Sequence, residues 1–100
     1  MVIYLFCNAG MSTSLVGSFA KKSLLARGHD VEVEAFDMSM LPEVAPEADV
    51  IILGPQIAWQ YDNVKKDYPD KVVILLTMQE FGSMNGDVIA DRIEKEIEEK

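Results

Sequence analysis

Four short apolar segments are spread along the chain, and each is bounded by polar or turn-forming residues. Three of them are almost continuously apolar, whereas the second alternates apolar with acidic residues. Runs of this length and composition are typical of β-strands. The predicted strands span residues 2–6, 31–36, 49–53 and 72–76.

The first two connections between these strands differ in pattern. After the first strand, apolar residues recur at helical spacing from Leu15 to Leu24, and Gly28 is a typical C-terminal stop. The next connection, residues 38–46, contains two prolines. It therefore predicts an irregular segment with at most one short helical turn.

Two more helices are predicted in the second half of the chain. Residues 56–68 form the first of them, which Pro69 ends. The last begins near residues 85–87, with an apolar stripe of Ile89, Ile93 and Ile97 and a charged outer face. Alternation of strand and helix predicts a single α/β domain, residues 1–100, with a mostly parallel sheet.

Composition narrows the classes of function. The 100 residues carry a formal net charge of −8, which argues against nucleic acid as a partner, because clustered Lys and Arg supply most of that affinity. No apolar run approaches the roughly 20 residues of a membrane span. With one cysteine and one histidine, neither a disulfide nor a structural metal is expected. We predict a reduced, cytoplasmic protein without a metal cofactor.

The most distinctive motif follows the first strand. It begins with the only cysteine and continues with small and hydroxyl-bearing residues up to the first helix. Such residues let backbone N–H groups converge, and the helix dipole adds positive potential, so the motif predicts a cradle for a tetrahedral anion at the sulfur. The motif consists of Cys7, Asn8, Ala9, Gly10, Met11, Ser12, Thr13 and Ser14.

Cys7 is predicted to act as a nucleophile. The helix N-terminus and the converging N–H groups favour its thiolate, and the same donors can bind three phosphoryl oxygens after attack. Phosphoryl transfer fits this loop better than acyl transfer, which requires a nearby base. A lone cysteine is ordinarily a small buried hydrophobe, but its position between a strand and a hydroxyl-rich loop favours chemistry here.

Residues at the other strand ends lie at the same edge of a parallel sheet, where ligands bind. Gln56 follows the third strand, and its amide can either reach the phosphate or cap a helix. Trp59 and Tyr61 are interpreted as packing residues or as part of a partner surface. An apolar ring around the cysteine is predicted from Met11, Met78, Phe81 and Met84.

The ionisable residues near strand ends give no acid–base pair. Asp37 and Glu80 follow the second and fourth strands, but nothing in the sequence pairs them. His29 follows the first helix, about 24 Å from the loop at ~1.5 Å per helical residue. It is predicted to be a surface residue rather than a catalytic base.

Two segments of the chain resemble one protein family. The first runs from Ile3 through Cys7 to Val16, and the second runs from Ala48 to Ala58 and contains Gly-Pro-Gln. Together they resemble the enzyme IIB component of the bacterial sugar phosphotransferase system, in its lactose/cellobiose (N,N′-diacetylchitobiose) family. The resemblance extends over the whole length of the chain.

This resemblance implies a phosphocarrier without a cofactor. Cys7 would take a phosphoryl group from a phosphohistidine of the IIA component and pass it to a sugar at the membrane permease IIC, the sugar being a β-linked disaccharide such as cellobiose or diacetylchitobiose. Asn8 to Ser14 would form the phosphate cradle, with Gln56 at the edge of the site. The implied fold is an open four-stranded parallel sheet, in the order 2-1-3-4, with helices on both faces.

Two other classes of protein stay open. A low-molecular-weight tyrosine phosphatase shares the strand, cysteine loop and helix, but it requires an arginine where this chain has Thr13. A non-catalytic, flavodoxin-like module would bind FMN or a phosphate ligand in the loop without using the thiol. Replacement of Cys7 by serine would leave ligand binding by such a module largely intact, whereas it would abolish phosphoryl relay by a carrier.

Overall fold

The computed structural model describes residues 1–8 and 11–99, except for the side chains of residues 11 and 12. In this part of the chain, four parallel strands form one sheet in the order β2-β1-β3-β4, the order that the resemblance implies. Each predicted strand is confirmed to within one residue at either end. The strands are β1 (Val2–Cys7), β2 (Glu32–Asp37), β3 (Val50–Leu53) and β4 (Val72–Leu75).

Helices cover both faces of this sheet. The first one begins before Leu15, and it ends as predicted next to Gly28, which has a φ of +90°. The N–H of His29 donates to the carbonyl of Leu24 and that of Gly28 to the carbonyl of Leu25, the Schellman pattern of a glycine-terminated helix. The helices are α1 (Met11–Ala26), α2 (Leu41–Val44), α3 (Tyr61–Asp67), α4 (Met78–Gly82) and α5 (Gly86–Glu99).

Residues 56–68 do not form one helix, and this prediction is wrong in part. A 3-10 helix, Pro55–Gln60, precedes α3, and its backbone is non-helical at Ile57. Ile57 is fully buried, and its packing against the sheet holds this break in place. The predicted stop is confirmed, because α3 ends at Asp67 just before Pro69.

The segment after β2 is more regular than its two prolines predict. A 3-10 turn (Met38–Met40), α2 and a second 3-10 turn (Ala45–Glu47) follow one another without interruption. Pro42 and Pro46 each lie in the first turn of a helical element, where a backbone N–H has no intrahelical partner to lose.

The short helix α4 was not predicted, although its signal is present in the sequence. The hydroxyl oxygen of Thr77 accepts from the N–H of Glu80, and the N–H of Thr77 donates to the carboxylate of Glu80. This reciprocal pair is a capping box, and Thr-x-x-Glu is its sequence pattern. Among the described residues, no helix is long and apolar enough to span a bilayer.

Alternate residues of the strands point to two separate cores. On one face they pack against α1 and α5, which confirms the apolar stripe predicted for α5; on the other they pack against α2, α3 and the 3-10 segments. The first core includes Ile3, Leu5, Ile52, Ile74, Val16, Ala20, Leu24, Ile89 and Ile93. The second includes Tyr4, Phe6, Ile51, Leu53, Val73, Leu41, Ile57 and Val64.

Replacement of Gly17 by alanine is expected to stabilise the protein. Gly17 lies in the interior of α1, where glycine costs about 1 kcal/mol relative to alanine. A Cβ at this position would lie 3.7 Å from Val33 Cγ1, an ordinary van der Waals contact. Urea denaturation of Gly17→Ala should show a free energy of unfolding higher by about 1 kcal/mol; a lower midpoint would mean that α1 needs glycine here.

Charged side chains join the end of α1 to α5. Arg27 Nη1 lies 2.9 Å from Asp91 Oδ1 and 2.6 Å from Glu94 Oε1, and its Nη2 lies 3.3 Å from Asp87 Oδ1. His29 Nε2 contacts the second oxygen of Glu94 at 2.8 Å. Hydrogen bonds from His29 and then Arg27 hold the pKa of Glu94 below its ordinary value of 4.5. Protonation of the Glu94 carboxylate in acid is therefore expected to weaken its contacts with Arg27 and His29.

This contact gives an expected pH dependence. Because the pKa of Glu94 is lower in the folded chain than in the unfolded chain, its carboxylate stabilises the fold above pH 4.5, and this stabilisation is lost as the pH falls through the lower folded value. Glu94→Gln should lower stability at pH 7 and make the loss of stability in acid shallower than in the wild type. Chemical denaturation from pH 3 to 7 measures this, with exposed Glu98→Gln as the matched control on α5.

Candidate active site

The central strand β1 carries Cys7 to the carboxyl edge of the sheet. Cys7 is the last residue of β1 and pairs in register with Asp37, the last residue of β2. On the other side, the N–H of Gly54 donates to the carbonyl of Phe6 at 2.9 Å and extends the ladder to β3. The thiol is free, and Cys7 is only 3% exposed. The sheet thus holds a buried thiol at the edge where parallel sheets bind ligands.

A hydrogen bond connects this thiol to Gln56. Cys7 Sγ donates to Gln56 Oε1 at a distance of 3.4 Å. Gln56 lies in the first turn of the 3-10 helix that follows β3, and among the described residues no side chain caps this helix. The alternative prediction, that Gln56 caps a helix, is therefore wrong, and its amide contacts the sulfur.

Gly54 provides the space for this contact. A Cβ on Gly54 would lie 2.8 Å from Gln56 Oε1 and 3.4 Å from Cys7 Sγ. Its φ of −68° is accessible to any residue, so glycine is required by the close approach and not by the backbone conformation. Gly54 was not predicted as a site residue, although its signal is present as a glycine between a buried strand and a proline.

The N-terminal turn of α1 starts four residues after Cys7. No acidic residue lies in this turn, so the positive end of the helix dipole is not neutralised by a carboxylate of its own. Thr13, in the same turn, is 1% exposed. Within the described part of the chain, its Oγ1 has no hydrogen-bond partner. Such a buried hydroxyl is able to bind a group that enters the loop.

Part of the predicted phosphate cradle lies outside the described residues. This applies to Ala9 and Gly10 and to the side chains of Met11 and Ser12. Asn8 and Ser14, on either side, are exposed. The convergence of backbone N–H groups on one point therefore stays a prediction.

The four apolar residues predicted to surround the cysteine have different environments. Phe81 is 7% exposed and belongs to the core beneath α1 and α5. Phe81 lies in α4. Met78 is 69% exposed, Met84 is also exposed, and the side chain of Met11 lies outside the described set.

The two aromatic residues after Gln56 also differ in their exposure to solvent. Trp59 is 71% exposed, so its interpretation as a packing residue is wrong, and a role in a partner surface stays a prediction. Tyr61 is half-buried against the second core, which confirms packing, and Lys65 Nζ lies 5.5 Å from the centre of its ring.

The carboxylates near the strand ends have structural partners. Hydrogen bonding with the Ser39 side chain, and then with the Ser39 N–H, which donates to Asp37 Oδ2 at 3.0 Å, lowers the pKa of Asp37. Glu80 caps α4 and contacts Arg92 Nη1 at 2.6 Å. His29, partly exposed, bonds to Glu94 beyond the C-terminal end of α1. These contacts agree with the expectation that none of the three forms an acid–base pair at Cys7.

The fold and the site together define a class of protein. It is a small α/β protein with an open parallel sheet, a buried cysteine at the end of its central β1 strand and a helix that begins four residues later. The family model "PTS system, Lactose/Cellobiose specific IIB subunit" matches residues 2–99. The chain belongs to this family of EIIB components of the sugar phosphotransferase system.

Individual relatives agree with this membership. The galactose-specific EIIB component of Lactococcus lactis subsp. cremoris (strain MG1363) is 36% identical over 95 residues, 88% of each chain. The cellobiose-specific EIIB component of Lactococcus lactis subsp. lactis (strain IL1403) has the same identity and coverage. An oligo-beta-mannoside-specific EIIB component of Bacillus subtilis (strain 168) is 29% identical over 86 residues, 84% of each chain.

Solved structures share the fold. The solution structure of a cellobiose-specific phosphotransferase IIB component from Borrelia burgdorferi is 26% identical, with a TM-score of 0.77 over 100% of this chain and 94% of that one. A lactose-specific IIB component domain from Streptococcus pneumoniae is 13% identical and has a TM-score of 0.82, over 98% and 95% of the two chains. At that identity, the second likeness concerns the fold alone.

Proposed function

We propose that this EIIB component is a phosphocarrier that uses Cys7 as its phosphorylated residue. The observation that carries the proposal is the position of the thiol, which is buried at the end of β1, contacts Gln56 and lies four residues before the start of α1. The donor is a phosphohistidine on IIA, and the acceptor is a sugar hydroxyl at IIC. EIIB components are phosphotransferases in general, and family membership implies both partners.

Each transfer exchanges one bond to phosphorus for another. In the first, the Cys7 thiolate attacks the phosphorus on IIA, so an S–P bond forms and a P–N bond breaks, and the leaving electron pair stays on the imidazole nitrogen, which takes up a proton. In the second, a sugar oxygen attacks the same phosphorus. An O–P bond forms, the S–P bond breaks, and Cys7 returns as thiolate while the hydroxyl proton is released.

The residues around Cys7 suit a carrier better than a phosphatase. A phosphatase of similar shape needs an arginine at the position of Thr13 to clamp the phosphoryl group, and an acid to protonate the leaving group. Thr13 is a buried hydroxyl, and Asp37, the carboxylate on the neighbouring strand, is bound to Ser39. A site without these groups lacks catalysts of hydrolysis, so a thiophosphate on Cys7 would persist until the acceptor arrives.

The sugar is inferred only by class. The relatives named above are specific for galactose, cellobiose and oligo-β-mannosides. The description of the matching family names lactose and cellobiose. We infer a β-linked disaccharide such as cellobiose or diacetylchitobiose, bound by the permease and not by this chain. We also infer that residues 1–100 act as one cytoplasmic domain without metal or cofactor.

The proposal is tested by the intact mass of the protein after incubation with phosphoenolpyruvate, the general phosphotransferase proteins and a matched IIA. The expected result is a gain of one phosphoryl group, with a 31P resonance typical of a thiophosphate. If IIA is phosphorylated and this protein gains no mass, the carrier proposal fails for that IIA. Hydrolysis of p-nitrophenyl phosphate, or a bound yellow flavin, would favour the other two classes instead.

A further inference from the structure

We propose that the carboxamide of Gln56 reverses its direction with the charge state of Cys7. Its Oε1 accepts from the neutral thiol, and its Nε2 donates to the sulfur once this is a thiolate, or to a phosphoryl oxygen once the sulfur is phosphorylated. The phosphorylated state in this proposal rests on the proposed function. The thiol and thiolate states do not.

The contact between the two side chains matches the first of these states. Cys7 Sγ and Gln56 Oε1 are 3.4 Å apart, which is the arrangement expected for a protonated sulfur, because a thiol offers a donor and the amide oxygen accepts. An amide nitrogen in that place could only donate to the sulfur, which would leave the thiol proton without this acceptor. The contact joins residues 49 positions apart, so it comes from the fold and not from local chain geometry.

The same contact becomes unfavourable when the sulfur is charged. A thiolate has no proton to donate, and the partial negative charge on Oε1 would then face a full negative charge. The amide nitrogen carries two N–H donors, and a hydrogen bond from a neutral donor to an anion is about twice as strong as one between neutral groups. The charged forms of Cys7 therefore favour the reversed amide.

The reversal needs little rearrangement. The terminal torsion of glutamine is broad and roughly two-fold, so a half-turn of the amide exchanges oxygen and nitrogen without moving the rest of the side chain. Gly54 has no Cβ and so leaves space beside the amide. A Cβ at this position would lie only 2.8 Å from Gln56 Oε1 and would crowd it. Asp37, the titratable residue paired with Cys7 on β2, is bound to Ser39.

The first test uses the unphosphorylated protein and needs no partner. The rate of Cys7 alkylation by iodoacetamide is measured against pH for the wild type and Gln56→Met, with Gln79→Met, exposed on α4, as the matched control. If Nε2 donates to the thiolate, Gln56→Met shifts the midpoint to higher pH and lowers the thiolate fraction at pH 7 about tenfold. If Gln56 acts only as an acceptor, its loss shifts the midpoint to lower pH or leaves it unchanged, and the proposal is overturned.

A second measurement observes the wild-type amide and does not depend on a variant that folds. In 15N-edited NMR spectra, the side-chain NH2 resonances of Gln56 are expected to shift as the pH passes through the alkylation midpoint, and to stay constant in Cys7→Ala. Constant resonances in the wild type would exclude the reversal. Should the wild type gain no phosphoryl group from IIA, the carrier proposal fails, while these two measurements still decide the role of Gln56.

Discussion

Cys7→Ser is expected to remain folded and to lose phosphoryl acceptance by at least about a thousandfold, because a serine hydroxyl without a general base stays un-ionised near neutral pH. The only histidine contacts Glu94 beyond the far end of α1, and the carboxylate of Asp37 is bound to Ser39. Neither is positioned to take the proton of a hydroxyl at residue 7. Transfer from phosphorylated IIA, followed by intact mass against time, measures the loss.

The fold should tolerate this substitution. A serine hydroxyl in place of the thiol keeps a donor facing Gln56 Oε1, so residue 7 is not left with an unpaired polar group. Cys7→Ala serves as the second variant, since it removes both the nucleophile and the hydrogen bond. If Cys7→Ser accepts phosphate at a rate near that of the wild type, the phosphorylated residue is another one and the mechanism above is wrong.

Gly86→Ala is expected to destabilise the protein by about 3 kcal/mol, at the upper end of typical overpacking effects. Gly86 is the first residue of α5 and lies against α1. A Cβ there would meet the backbone oxygen and carbon of Phe19, at 2.2 and 2.7 Å. Backbone atoms inside a helix cannot rotate away, so the start of α5 must move off α1 and loosen the packing of Ile89 and Ile93.

Gly82→Ala is the matched control for this prediction. Gly82 ends α4, and a Cβ built on it meets no atom of the described residues within 4 Å. Its thermal midpoint should stay within a few degrees of the wild-type value, whereas that of Gly86→Ala should fall by roughly 12 to 24 °C, at about 4–8 °C per kcal/mol for a chain of this size. Equal midpoints for the two variants would show that α5 adjusts without loss of packing.

Local signals in the sequence predicted much of the fold. The end of α1 at Gly28 and the end of α3 before Pro69 depend on backbone preferences of single residues, and the structure has both. The strands were predicted from short apolar runs, which are also a local property of the sequence. The capping box of α4 was equally readable, since it involves two residues three positions apart.

The features that escaped prediction depend on contacts between distant parts of the chain. The close approach of Gly86 to Phe19 and the burial of Thr13 require the packed tertiary structure. The same is true of Gln56, whose side chain was equally suited to a cap until the fold placed it beside Cys7. The sequence could thus locate the candidate nucleophile, but not the geometry around it.

The order of the strands has a consequence for folding. β1 pairs with β2 and β3 on either side, and its contacts to β3 join residues 47 positions apart, such as Ile3 and Val50. Such long-range parallel pairings form slowly relative to local helices, because loop closure precedes the gain from packing. The thiol, 3% exposed in the native sheet, stays open to reagents until these pairings close. Cys7 is therefore a built-in reporter of when the central strands assemble during refolding.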